Sequence, residues 1–199
     1  MNGVGALARV LCPAASGALA GQLLVGQCST MTLGTGAADL GCNHLVVDGT
    51  FQVARGAATM TDDVSVSAPG VLNGGSGLLA LSGDWDVAGT FLTGSNGTVE
   101  INDDCGSRDS AILGGHAFAN LTLTTATGKT FVFESGTTPT VANHLVIAGS
   151  ARNAMPAVIR SDTPGNAASL AFTGTSQAVG LVDVEDVHAT RQVLFADTG

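Results

Sequence analysis

The sequence predicts a single-domain, all-β parallel β-solenoid, wound as a right-handed β-helix of about eight or nine coils. Three observations point there. Short alternating runs such as Leu79-Ala80-Leu81, Trp85-Asp86-Val87 and Thr98-Val99-Glu100-Ile101 are separated by Gly, Asn and Asp. Such spelling gives strands with one buried face and tight turns between them. The units also recur: Asn43-His44-Leu45-Val46-Val47 returns as Asn143-His144-Leu145-Val146-Ile147, and Gly49-Thr50-Phe51 returns as Gly89-Thr90-Phe91. Finally, 28 glycines in 199 residues, with 12% charged residues and no tyrosine, suit short strands joined at narrow corners.

Strand-like triplets centre about ten residues apart, with some gaps nearer twenty, so two or three strands make one coil. A sandwich or barrel would use more two-residue Asn-Gly or Asp-Gly hairpins and a stronger aromatic core. Stacked coils instead align like positions, bury a ladder of Leu, Val, Ile and Phe, and repeat about every 4.8 Å. The crossover rule sets the right-handed winding. Alternation inside the repeats points Leu45, Val47, Leu79, Leu81, Val99, Ile101, Leu121, Leu123, Val146, Leu170 and Val182 inward.

Residues 1–30 are read as an N-terminal cap or first coil, and 31–199 as the solenoid repeats. Ala18-Leu19-Ala20 has the spelling of a signal-peptidase site, but only Arg9 precedes it, and Cys12-Pro13 with Ser16-Gly17 interrupts the apolar run. Leu23-Leu24-Val25 reads as a strand covering the end of the core.

The four cysteines, Cys12, Cys28, Cys42 and Cys105, allow three pairings. Cys28–Cys42 is the favoured pair, because bridging it closes a short polar loop and stabilises by about 3 kcal/mol in the chain-entropy model. Cys12 and Cys105 are then free or paired elsewhere. Zinc is disfavoured by the absence of C-x-x-C or a nearby Cys/His grouping, and disulfides imply an extracytoplasmic location.

A net charge of -9 and no basic stripe interleaved with aromatics argue against nucleic acid as a partner. No apolar run approaches the roughly 20 residues that a membrane-spanning helix requires.

Four stretches, residues 40–53 (LGCNHLVVDGTFQV), 81–103, 115–141 and 158–190, carry a resemblance to the repeat-rich secreted β-helix proteins of Gram-negative bacteria, especially those with an IPTL-type C-terminal sorting tag. The tag itself does not follow in this sequence. The resemblance implies an extracellular surface or matrix component, and it carries over no catalytic residue.

Candidate chemistry is sparse. Asp103 and Asp104, with Asp109 beyond Gly106, have the loop setting of a calcium site, while Asp183, Glu185, Asp186 and His188 read as a solvated edge. Asp84 and Asp86 flank Trp85 as a possible carboxylate pair, but Gly-Asp-Trp-Asp reads first as a corner entering a strand, and Trp85 as core. Polysaccharide cleavage would need facing carboxyls or a base beside clustered positive groups, and the chain has one lysine, Lys129, and dispersed arginines. No nucleophile elbow, metalloprotease helix, P-loop or dinucleotide fingerprint occurs. His44 and His144 hold equivalent repeat positions and read as corner hydrogen-bonding residues.

The sequence therefore predicts an extracellular or bacterial cell-surface structural protein, non-catalytic and without a cofactor. Its expected partner is itself: Leu23, Leu24 and Val25 of one chain meet Val193, Leu194 and Phe195 of the next in a head-to-tail filament. The alternative is a monomeric adhesin or carbohydrate-binding β-helix with extracellular polysaccharide as partner. A polysaccharide-degrading enzyme is the least favoured reading.

Overall fold

The computed structural model describes residues 16–19, 21–106, 109–191 and 196–197. The expectations placed on Cys12, Val193, Leu194 and Phe195 lie outside the described residues. In chain order the strands begin with β1 (Ser16–Leu19), β2 (Gln22–Val25), β3 (Thr30–Thr32), β4 (Ala37–Val47), β5 (Thr50–Gln52), β6 (Ala57–Val66) and β7 (Val71–Asn73). They continue with β8 (Leu78–Leu81), β9 (Trp85–Val87), β10 (Thr90–Leu92), β11 (Thr98–Ile101), β12 (Asp109–Ile112), β13 (Ala117–Thr124) and β14 (Thr130–Phe133). The last are β15 (Thr140–Ala148), β16 (Ala157–Ser161), β17 (Ala168–Phe172), β18 (Ser176–Gly180), β19 (Val182–Glu185), β20 (Val187–Thr190) and β21 (Ala196–Asp197).

These strands wind into a parallel β-solenoid of roughly eight coils with three faces. The first face stacks β2, the second halves of β4 and β6, then β9, β12, β14, β16 and β19. The second face stacks β3, β5, β7 and β10, and then the starts of β13 and β15 with β17 and β20. The third holds the first halves of β4 and β6, then β8, β11, the ends of β13 and β15, β18 and β21.

Like positions stack, as the repeats require. Leu79, Val99, Leu121 and Leu145 form one inward ladder, and Leu81, Ile101, Leu123, Ile147 and Val179 form the next. A third runs through Leu45, Val64, Trp85, Ile112 and Phe133. Trp85 is fully buried and meets Phe91 edge-on at 4.9 Å, with Phe118 at 5.5 Å, so these three rings form one local cluster in a core that also buries Phe51, Phe131, Phe133 and Phe172.

Small residues make the corners possible. Gly34, Ala54, Gly75 and Gly94 occupy one corner in successive coils, all at positive φ. A Cβ on Gly94 would come within 1.7 Å of the Gly75 carbonyl oxygen, so glycine there is a packing requirement as well as a conformational one.

Two inward assignments change. Val146 is half-buried and faces outward, because the pairing of Leu121 with Leu145 and Leu123 with Ile147 turns its neighbours inside. Val182 lies at the last coil and is only partly buried, packed against the core from its end. The chain's other end is closed differently: β1 runs antiparallel to β2, from Ser16 opposite Val25 to Leu19 opposite Gln22. Leu23, Leu24 and Val25 therefore have β4 on one edge and β1 on the other. The expectation that this edge is open to a neighbouring chain is corrected, since its ladder groups are already paired.

Candidate functional site

The corner where the third face turns into the first collects much of the chain's ionisable chemistry. In β4 and β6 the strand runs through this corner on a bulge, with Gly41, Cys42 and Met60 at positive φ and the pairing register shifting on either side. In a regular strand Asp62 and Asp63 would point to opposite faces. Here both approach His44 of the preceding coil: His44 Nδ1 lies 3.0 Å from Asp63 Oδ2 and 3.9 Å from Asp62 Oδ2. The imidazole is 45% exposed, yet Nδ1 itself is closed to solvent and has no partner at hydrogen-bond angles. The 3.0 Å approach is thus an ion-pair distance rather than a hydrogen bond. The other Asp63 oxygen accepts the Asp84 amide at 2.8 Å, which fixes the carboxylate's orientation.

One coil pair further along, the segment after β11 folds back over the same corner. The Cys105 amide donates to Ser82 Oγ at 3.1 Å, and Ser82 Oγ donates to Asn102 Oδ1 at 2.7 Å. Cys105 is thereby carried past β8 and β6 to Cys42, with which it forms a disulfide across 5.5 Å between Cα atoms. This corrects the Cys28–Cys42 expectation. Cys28 lies in the turn between the first and second faces, whereas Cys42 lies at the turn from third to first, so short separation along the chain places them at different corners. Cys28 is also disulfide-bonded, and no free cysteine occurs among the described residues.

Lys129, 1% exposed, reaches into this corner and donates from Nζ to the Ser82 carbonyl. Burial pushes its amine below the usual lysine range, opposed by the charges of Asp103, Asp109, Asp62 and Asp84. Asp103 does not act as an open ligand. Its Oδ2 accepts the Thr125 and Thr127 hydroxyls at 2.8 and 2.7 Å and the Ala126 and Thr127 amides at 2.8 and 2.9 Å. Partial burial works against its ionisation, but these donors outweigh it and hold the carboxyl below its ordinary value. Asp104 Oδ2 accepts from Asn102 Nδ2 at 2.9 Å. Asp103, Asp104 and Asp109 are therefore not gathered as metal ligands. Among the described residues, the one His/Cys/Asp/Glu group with ligand atoms within 4.8 Å of one another is His44, Asp62 and Asp63.

Several of the remaining sequence candidates have structural partners, and the others are exposed. Asp84 Oδ1 accepts the Ala111 amide at 2.7 Å, while Asp86 is exposed, as expected of a corner entering a strand. Arg160 reaches Asp183 at 2.8 Å and Glu185 at 3.1 Å on the next coil, and Asp186 accepts the Gly165 amide at 2.7 Å. His188 is exposed. Sequence reasoning passed over Asp62 and Asp63, and weighed Lys129 only as the chain's single lysine. The available clues were adjacent acids breaking strand alternation and the single lysine at a strand entry.

Two surfaces lie away from the corner. A shallow groove of about 590 Å³ crosses the third face and is lined by Arg55, Ser76, Asn96, Asn120, Thr122 and His144. At the C-terminal end an apolar opening of about 220 Å³ enters the core between Val182, Val184, Val187, Ala189, Ile147 and Ile159.

No protein-family model matches the chain, and neither the curated proteins nor the solved structures compared with it show a significant match. The coils and their pairing define the class, an all-β parallel β-solenoid. The likeness to secreted β-helix proteins rests on this fold alone, and no sequence similarity ties the chain to a particular secretion system or sorting tag.

Proposed function

We propose that the protein is an extracytoplasmic structural subunit, a non-catalytic, disulfide-braced rod that stacks end to end with further copies of itself. The observation that carries this reading is the C-terminal end. There Val184 is 51% exposed beside the apolar opening, and β19 and β20 pair on one side only among the described residues. A ladder edge over exposed apolar side chains is a template for another chain. At the opposite end β3 and Ala37–Asp39 also have a single strand neighbour among the described residues, while β1 covers β2. At this N-terminal end the contact is thus left to the second and third faces instead of Leu23–Val25, and at the C-terminal end to the β20 edge and the apolar opening beside Val184. The Cys42–Cys105 bond supports an oxidising compartment.

Sedimentation and light scattering at rising concentration, with electron microscopy, test this reading. The parent chain should form elongated particles, and Val184→Asp, a change at an exposed position, should keep the fold and remain monomeric. A parent chain that stays monomeric up to its solubility limit overturns it.

A second reading, a monomeric adhesin for polysaccharide, is favoured by the polar groove from Arg55 to His144, which runs across several coils as an extended polymer would. Retention of the chain on immobilised acidic polysaccharide, lost in Arg55→Ala, would select it over assembly.

A further inference from the structure

We propose that His44, Asp62 and Asp63 form a binding site for a divalent transition-metal cation of the zinc class, joining two adjacent coils at the disulfide-braced corner. The donor set is one imidazole nitrogen and two carboxylate oxygens, which suits zinc and its neighbours better than calcium, whose shell is built from six to eight oxygens. Around a tetrahedral ion with bonds of about 2.0–2.2 Å, ligand atoms sit about 3.3–3.6 Å apart. The observed approaches of 3.0 and 3.9 Å to His44 Nδ1 bracket that spacing, and all three ligand atoms lie within 4.8 Å of one another.

The ring nitrogen supplies an independent indication. Nδ1 is shut off from solvent and aimed between the two carboxylates, yet neither meets it with hydrogen-bond geometry. An ion between them gives the His44 nitrogen the partner it lacks, with each carboxylate contributing one oxygen. Orientation is set in advance: Asp63 is held through its second oxygen by the Asp84 amide, the outer contact expected behind a metal-ligating carboxylate. Two residues before His44, Cys42 is tied to Cys105, which limits how far this corner can open. The ligands come from β4 and β6, so the ion would link neighbouring coils where the strands bulge, with water completing the exposed side.

The test is titration of the purified chain with Zn²⁺ alone, and separately Co²⁺ and Ca²⁺, by calorimetry and by cobalt absorption. One Zn²⁺ per chain is expected, with the visible band of a low-coordinate Co²⁺ site and a raised thermal midpoint. His44→Ala and Asp63→Asn should each weaken binding by about tenfold or more. His144→Ala, on the groove, should leave it unchanged. Circular dichroism checks folding, and Asp62→Asn provides an independent ligand variant should either of the first two misfold. Absence of saturable Zn²⁺ binding, binding that survives His44→Ala in a folded chain, or saturation by Ca²⁺ alone would overturn the assignment and leave His44–Asp63 as an ion pair.

Discussion

Cys42 and Cys105 are 63 residues apart in the chain and 5.5 Å apart at their Cα atoms, joined across the corners of β6 and β8. The bridge closes a long loop in the unfolded chain, for which the chain-entropy model gives about 4 kcal/mol of stabilisation. Denaturant unfolding of the Cys42→Ser, Cys105→Ser double variant should show a loss of that order. A loss below about 1 kcal/mol would mean that the native corner already resists the bond's constraint.

Val47 and Val146 separate a correct register from a slipped one. Val47 is fully buried between Val25 and Val66, whereas Val146 faces outward between inward Leu145 and Ile147. Val47→Asp buries an unpaired charge and should cost several kcal/mol, while Val146→Asp should cost less than about 1 kcal/mol. Urea midpoints of the two variants decide the matter, and equal effects would contradict the pairing described for β15.

Asp103 makes stability sensitive to acid. Its folded-state pKa lies below the free-group value of 3.8, so as pH falls the unfolded chain binds this proton first. Its contribution is complete above the free-group value and disappears as pH falls from there through the lower folded value. Asp103→Asn should be less stable than the parent at pH 7 by about 1–2 kcal/mol and show a shallower acid limb. Parallel pH profiles of unfolding free energy would refute the role given to the four donors.

Lys129 is the counter-ion of the corner. Lys129→Met keeps most of the side-chain volume but leaves the Ser82 carbonyl without that donor and the neighbouring carboxylates without their ammonium. A loss of about 1–3 kcal/mol is expected at pH 7, shrinking as the carboxylates protonate in acid. Thermal unfolding across pH measures both. A variant more stable than the parent at neutral pH would show that the cost of burying the amine outweighs its attraction to the aspartates.

The sequence by itself determined the solenoid, because a stacked coil repeats its chemistry locally: Leu79, Val99 and Leu121 reveal themselves as one ladder through period-two alternation and the turns between them. Trp85 and the inward phenylalanines followed from the same periodicity. Tertiary structure decided what joins one coil to another. Cys28 lies nearer Cys42 in the chain, but winding assigns the two to different corners and brings Cys105 back over Ser82 and Thr61. Asp62 and Asp63 would lie on opposite faces of a regular strand, and it is the β6 bulge that lets both approach His44. The antiparallel return of β1 onto β2 likewise closed an edge that strand spelling alone left open. Periodicity is a property of neighbours in sequence, whereas bulges, returns and cross-coil bonds depend on which coil lies alongside, and that is set only when the stack forms.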